Sequence, residues 1–461
     1  MIKLTKTQIF AGTAIGIVFL IGALAPWLNN AARIGAGYKA KILCSEIFVA
    51  GRDSNDVLAN DFKDITLVLP LVRAGIDEEN KSVRTSLFGL GKSQAIYRGM
   101  NGCTLLNGED NFISTSSNPV AFTPSPLAAA RPTSGEAIAR IDYDAINTVL
   151  DDAIEDETAG HRAFVVLVDG RLVDECYASG FSEHSKFLSW SMAKSVLSTL
   201  VGASVSHNYL AVDFPAPVPE WSESPRAAIT WHNLLQMQSG LEFEEDYAAI
   251  NSDVNQMLWR SREMGARAAA SNLRYEPGEF WDYSSGTSNI LARALANTLE
   301  EQNLDLQSFA KSTLFGPIGA ASFVLETDTA GQFIGSSFVY ATARDWARLG
   351  QLYLQNGEWD GASIISPEWV DYVQQPAAAS DNQYSAHFWL NSSGKDAREK
   401  FIPGLPENVY FMAGHEGQYV FIIPSKNAVI VRTGITRNAE PINVTGPVVT
   451  ALFEAIGDAE K

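Results

Sequence analysis

The sequence predicts an α+β fold in which one antiparallel sheet is closed from the two ends of the chain, with helices flanking it, a helical lobe inserted between and a membrane-spanning helix ahead of it. Three observations predict it. Strand-like runs occur early (RAFVVLVDGRLVDECYA, residues 162–178) and late (NVYFMAGHEGQYVFIIPSKNAVIVRTG, residues 408–434), while residues 205–330 read mostly as helix and loop. An uncharged run, IFAGTAIGIVFLIGALAPWL, occupies residues 9–28, and about 20 apolar residues suffice to cross a bilayer core. With 46% apolar and 19% charged residues, the chain has the composition of a folded globular protein.

Taken in order, residues 1–30 read as an N-terminal membrane anchor. Lys3 and Lys6 precede the apolar run and favour a cytoplasmic N-terminus, which makes a single-pass inner-membrane protein with a periplasmic body; Arg33, Lys39 and Lys41 oppose that vote. Ala23-Leu24-Ala25 has the small-residue pattern of a signal-peptide cleavage site, so secretion after cleavage is the rival, although Pro26 would follow the cut directly. Residues 31–135 form a small N-terminal module and linker. KILCSEIFVAG and SVRTSLFGLGKSQAIYRG alternate loosely, as strands do, and residues 107–136 concentrate Ser, Thr, Pro and Asn as a linker or long loop does. The main domain spans residues 136–461. It starts with a helix over about 142–155 and a hairpin turning at Asp169-Gly170. WHNLLQMQSG and NILARALANTLEEQ are the clearest helices of the middle, the helical period continues through YATARDWARLGQLYLQNGEW and SPEWVDYVQ, and VTGPVVTALFEAIG is the last helix. Of the three cysteines, Cys44 and Cys103 lie ahead of the main domain and form the one candidate disulfide; three unpaired buried thiols, Cys176 included, are the alternative.

Charge and motifs exclude several functions. A net charge of −19 repels polyanions, and no basic patch offsets it, so nucleic acid is not an expected partner. SLFGLGKS lacks the first glycine of a phosphate loop, with Ser86 in its place, so Gly91-Lys92-Ser93 reads as a turn. There is no G-x-S-x-G and no H-E-x-x-H, and no metal or cofactor is expected. Asn391 and Asn443 fit the N-glycosylation sequon.

Three stretches carry chemistry. In SWSMAKS, a helix starting near Trp190 brings Ser191 and Lys194 together, because residues three apart are neighbours on a helix surface. A nucleophile and its base need that geometry, provided burial lowers the lysine pKa. A serine capping a helix, with a solvated lysine one turn on, is the usual explanation of the same residues. In FWDYSSGTSN, Tyr283 stands in a Gly- and Ser-rich loop entering a helix, either packed in a core or aimed into a cleft as an acid or base. In AGHEGQYVFIIP, His415 and Gly417 stand at the entry of a strand, where a plain loop histidine with a glycine turn is the alternative.

In this order the three stretches resemble the serine β-lactamase and penicillin-binding-protein superfamily, in particular its class C-like esterase and amidase branch, which includes 6-aminohexanoate-dimer hydrolases. Ser191-Met192-Ala193-Lys194 matches S-x-x-K, Tyr283-Ser284-Ser285 matches the Y-x-N or Y-x-S element, and His415-Glu416-Gly417 matches a variant of the K-T-G strand. ITWHNLLQMQSGLEF and FVYATARDWARLGQLYLQNGEWDGASIISPEWV resemble the connecting stretches of that branch, so the likeness covers about residues 140–458. The resemblance implies a β-lactamase/DD-peptidase-like fold and acyl transfer through Ser191, with Lys194 and Tyr283 moving the proton. It also implies an oxyanion hole from the N–H groups of Ser191 and Gln418, and substrate contacts from His415, Gly417, Ser285 and Tyr247. His415 replaces the strand lysine that helps hold a substrate carboxylate, and Ser285 replaces Asn. The expected substrate is therefore a small-molecule ester or amide rather than a penicillin. The alternatives are a D,D-carboxypeptidase or weak β-lactamase, and a non-catalytic sensor that binds cell-wall peptides.

Overall fold

The computed structural model describes residues 6–66, 68–107, 127–128, 130, 137–394 and 400–459, with side chains from residue 26 onward. Most of the 107–136 segment expected to be a linker lies outside the described residues. Within it, Ala128 and Ala130 run beside Leu172 and exchange backbone hydrogen bonds with it, both 2.8 Å.

The N-terminal module starts with helix α1 (Lys6–Phe48) and continues with α2 (Ser54–Asn60) and the four-stranded antiparallel sheet β1 (Val72–Asp77), β2 (Ser82–Leu87), β3 (Leu90–Tyr97) and β4 (Cys103–Leu105). Two expectations are corrected here. Among the described residues no helix is long and apolar enough to cross a membrane, so the transmembrane helix and the inner-membrane, periplasmic placement built on it are not supported. The apolar run does not end in a loop where a bilayer would end. It opens a 43-residue helix, with Pro26 inside it, whose second half is part of the folded body. Residues 34–48 are accordingly helix and not strand. Ala32, Ala36, Ala40 and Leu43 recur at helical spacing and are all buried, a face that lies mostly ahead of KILCSEIFVAG, which begins at Lys41. The third correction is smaller: the turn of SLFGLGKS falls at Phe88-Gly89, and Gly91-Lys92-Ser93 belongs to β3.

The main domain follows with α3 (Tyr143–Glu155), β5 (His161–Val168), β6 (Arg171–Tyr177), β7 (Lys186–Leu188) and α4 (Met192–Ser206). The helical lobe contains α5 (Trp231–Leu235), α6 (Asp253–Arg260), α7 (Met264–Ala269), α8 (Ser285–Glu301) and α9 (Leu306–Phe309). The chain returns through β8 (Val324–Leu325), β9 (Val339–Thr342), α10 (Ala343–Leu354), the small hairpin β10 (Glu358–Trp359) and β11 (Ala362–Ser363), and α11 (Pro367–Tyr372). It closes with β12 (Tyr384–Ser385), β13 (Phe388–Leu390), β14 (Tyr410–Gly414), β15 (Gln418–Ile423), β16 (Ala428–Gly434) and α12 (Pro441–Ala455).

The main sheet has seven strands in the order β12-β13-β14-β15-β16-β5-β6, all antiparallel. The early hairpin therefore joins the late strands at β16–β5, as the strand distribution predicted. Asp169 and Gly170 both take positive φ (51° and 71°), the backbone of a two-residue type I′ turn, which matches the strand twist. Alternate residues serve two cores: Val165, Leu167, Val420, Ile422, Val429 and Val431 face the helical lobe, α4 and α10, while Phe164, Val166, Phe421, Ile423 and Ile430 face α3 and α12. With both faces covered, β15 and β16 are buried throughout, which explains their continuous apolar runs.

The N-terminal module shares the larger of these cores, from Ala36 and Leu43 to the sheet. It is also tied in by buried charge. Lys41 pairs with Glu326, which additionally accepts from Ser45 Oγ (2.9 Å) and the Cys103 N–H (2.6 Å). Asp61, after α2, takes Arg162 of β5 at 2.6 Å, and Arg437 donates to the carbonyls of Asp61 (2.8 Å) and Lys63 (2.7 Å). Cys44 of α1 and Cys103 of β4 are joined by a disulfide, and Cys176 is unpaired. The bridge spans 59 residues of chain, so the chain-entropy account gives it about 4 kcal/mol. Replacing both cysteines by serine is expected to lower the urea unfolding free energy by about that amount. A loss under about 1 kcal/mol would mean that packing and the ion pairs hold the module without it. The sequon at Asn391 is closed to modification in the fold. Its side chain is fully buried and donates to the carbonyls of Ile402, Leu405 and Pro406.

Candidate active site

Helix α4 places the first pair. Ser191 occupies its N-cap position but makes no capping hydrogen bond through its side chain. Lys194, one turn on, is 1% exposed. Neither half of the alternative reading, a capping serine with a solvated lysine, is found. Instead the Lys194 ammonium lies 3.1 Å from Ser191 Oγ, 3.1 Å from Ser285 Oγ and 3.0 Å from the Ser336 carbonyl. Burial lowers its pKa from 10.5 to about 8, against a smaller raising effect of Glu245.

Helix α8 places the second group. Its N-cap Ser284 accepts from the Thr287 N–H at 3.0 Å, which fixes the entry of the chain and sets Tyr283 immediately before the helix and Ser285 at its first turn. The Tyr283 ring lies under the Lys194 ammonium, 4.8 Å from nitrogen to ring centroid. Burial and the negative charge of Glu245 raise the phenol pKa, while a side-chain hydrogen bond with Ser191 opposes them. Tyr283 is thus a neutral phenol at physiological pH, able to pass a proton but not to hold a phenolate. Tyr384 and Trp389 pack against its ring at 5.8 Å and 5.5 Å.

The third stretch joins through close approach. A Cβ on Gly414, the last residue of β14, would come within 2.1 Å of the Ser189 carbonyl oxygen, so only glycine lets this strand end lie against the chain two residues before Ser191. The following His415-Glu416-Gly417 turn is held from beneath by Arg432 of β16, whose guanidinium donates to the carbonyls of Glu416 (2.9 Å) and Gly417 (2.6 Å). Gln418 opens β15, with its side chain turned to the His415 carbonyl and to Gly434. His415 meets the Trp190 ring edge-on at 5.5 Å and stacks on Tyr247 at 5.9 Å. Its pKa is lowered, mainly by burial, so the imidazole is neutral at pH 7. Tyr247 is 41% exposed, and its hydroxyl donates to Glu245 at 3.1 Å.

Ser191, Lys194, Tyr283 and Ser285 therefore converge on one point, with Tyr247 and His415 beside it. Three participants escaped the sequence reading. Glu245, two residues before Tyr247 in GLEFEEDY, accepts from Ser285 Oγ at 2.6 Å and from the Ser285 N–H at 2.8 Å; the acidic pair was its only signal. The Ser336 carbonyl has no signature, being backbone. Tyr38 of α1 stacks on Trp190 at 6.4 Å, and Trp190 itself holds a positive φ of 45°. That conformation costs a bulky residue roughly 1–3 kcal/mol and persists only where packing over-determines it. The N-terminal module thus supports the residue directly before Ser191.

Residues 150–437 match the protein family described as Beta-lactamase, a span that contains all three stretches. A 6-aminohexanoate-dimer hydrolase of Paenarthrobacter ureafaciens is 27% identical over 286 residues, covering 59% of this chain and 71% of that protein. Among solved structures, one from Bacillus anthracis, provisionally assigned as a 6-aminohexanoate-dimer hydrolase, superposes with a TM-score of 0.56 at 21% identity over 73% of this chain and 89% of its own. A penicillin-binding-protein homologue from Caulobacter crescentus does so with a TM-score of 0.52 at 14% identity over 72% and 99%. At these identities the structural likeness is one of fold.

Proposed function

The chain belongs to the Beta-lactamase family and is a hydrolase of the serine β-lactamase-related type, and from that premise we propose that it cleaves an ester or small amide through an acyl-Ser191 intermediate. The observation that carries this reading is the buried Lys194 ammonium, 3.1 Å from Ser191 Oγ and with its pKa lowered to about 8. A lysine in this state loses its proton readily enough to serve as a base near neutral pH.

Neutral Lys194 takes the Ser191 proton as Oγ attacks the substrate carbonyl carbon. The oxyanion is received by the N–H groups of Ser191 and Gln418. Tyr283 passes its proton to the leaving oxygen or nitrogen as the carbonyl-to-leaving-group bond breaks, and the proton that Lys194 took from Ser191 replaces it, so the phenol and the neutral amine are both restored. Water then adds to the acyl-serine ester by the same route in reverse, giving the acid and restoring Ser191. The neutral His415 at the third element offers no cation to a substrate carboxylate, which favours substrates without the carboxylate of penicillins or D-alanyl peptides.

The test is covalent labelling of the whole chain with a fluorophosphonate probe and, separately, with a labelled penicillin. Labelling by the phosphonate and not by the penicillin is expected. Efficient penicillin labelling would favour a D,D-carboxypeptidase or weak β-lactamase, and labelling by neither in folded protein would leave a peptide-binding role without turnover.

A further inference from the structure

Among the described residues the Lys194 ammonium bonds only to uncharged oxygens: Ser191 Oγ, Ser285 Oγ and the Ser336 carbonyl. Its one link to an acid runs through Ser285. A carboxylate only accepts hydrogen bonds, so the 2.6 Å contact between Ser285 Oγ and Glu245 Oε1 uses the single hydroxyl proton of Ser285. The lone pairs of Ser285 Oγ are thereby left for Lys194. Glu245 Oε2 meanwhile accepts the Ser285 N–H at 2.8 Å, and Oε1 also accepts the Tyr247 hydroxyl at 3.1 Å. The carboxylate thus takes three protein donors, two from Ser285 on α8 and one from Tyr247 on its own loop.

We propose that Glu245 is the positioning residue of the proposed base: it orients Ser285 so that the Lys194 nitrogen stays on Ser191 Oγ, and it sets Tyr247 against His415 at the site's edge. The proposal rests on the acyl-Ser191 reading for its catalytic meaning, but its geometry can be tested apart from it. The groups around Lys194 leave Glu245 as its main charged influence. Tyr283 is a neutral phenol, and His387 is neutral because burial pushes its pKa down to about 3. Tyr247 and Tyr384 are phenols whose pKa values burial raises well above 10. Asp282, raised by burial and by Glu245, is not among the influences on Lys194.

The sign follows. The negative charge of Glu245 favours the ammonium form of Lys194, so removing it lowers the lysine pKa further. Two measurements on the full chain read this out: the 13C NMR titration of Cε-labelled Lys194, assigned by its loss in Lys194→Met, and the pH dependence of fluorophosphonate labelling. In Glu245→Gln both midpoints are expected to move together to lower pH by about one pH unit, while the plateau labelling rate falls about tenfold as Ser285 loses its orientation. Glu245→Asp, which keeps the charge on a shorter stem, should retain the wild-type midpoint with a lowered plateau. A purely structural role would lower the melting temperature and leave the midpoint in place. An unchanged or raised Lys194 midpoint in Glu245→Gln overturns the proposal; should that variant not fold, an unchanged plateau in Glu245→Asp does so. If wild-type protein resists the phosphonate, the acyl-serine reading fails, and the NMR midpoints still decide the role of Glu245.

Discussion

Ser191→Ala is expected to abolish turnover of a p-nitrophenyl ester and covalent phosphonate labelling together, by about 10⁶-fold in kcat where a substrate is turned over, while leaving the fold as stable as before. Two observations set the two halves of that expectation. Ser191 Oγ is the atom on which the Lys194 ammonium and the Tyr283 hydroxyl converge, so no other hydroxyl inherits its position. Yet the same side chain makes no capping bond to α4. An ordinary capping serine costs about 1 kcal/mol when replaced by alanine, and here that loss should be absent from the urea unfolding curve. Retained labelling at a different serine in the Ser191→Ala protein, read by peptide mass spectrometry, would move the nucleophile elsewhere.

Lys194→Met carries the second large effect, with opposite signs for activity and stability. Loss of the proposed base should cost about 10³- to 10⁴-fold in kcat/KM. In the wild type, kcat/KM should rise with pH through about 8, the value to which burial brings Lys194, and fall about tenfold per pH unit below it. In Lys194→Met that acid limb should vanish. For stability, the folded pKa of about 8 lies below the unfolded value of 10.5. The unfolded chain therefore binds the extra proton between these values, and stability rises with pH across that window. Below about pH 8 the whole penalty of burying the ammonium is present, about 3 kcal/mol. Methionine removes that penalty with similar volume but strands the Ser336 carbonyl, at about 1–2 kcal/mol. A net stabilisation of about 1–2 kcal/mol at pH 7 is the expected result in urea unfolding. A destabilised, inactive Lys194→Met would show that the ammonium's hydrogen bonds outweigh its desolvation.

The stretches read most securely from sequence were those whose geometry is local. Asp169-Gly170 announced its turn because few residue pairs adopt two positive φ values side by side. The helix over 142–155 lies at Tyr143–Glu155, capped by Asp142, whose carboxylate accepts the Ala145 N–H at 3.0 Å. Misreading began where a local pattern had two meanings. The run at 9–28 is long and apolar enough for a bilayer when isolated, but its helix continues into the body and buries Ala36, Ala40 and Leu43 against protein. KILCSEIFVAG alternates over a few residues, yet it extends a helix already formed upstream, and adding a residue to a helix is far easier than nucleating a new element.

SWSMAKS shows the same division at the site itself. The spacing of Ser191 and Lys194 on one helix face is a property of the helical repeat, and the sequence alone determined it, along with the order of the three elements and the absence of a cation at His415. Whether Lys194 is solvated or buried, and whether Ser191 caps α4 or faces a base, was decided only by tertiary structure. The deciding partners come from distant segments: Ser285 lies 91 residues away and Ser336 lies 142. Glu245 reaches Ser285 across 40 residues, and Tyr38 reaches Trp190 from the N-terminal helix. Desolvation and hydrogen-bond direction, which set the lysine's proton affinity, depend on which segments pack around it, and no local repeat encodes that packing.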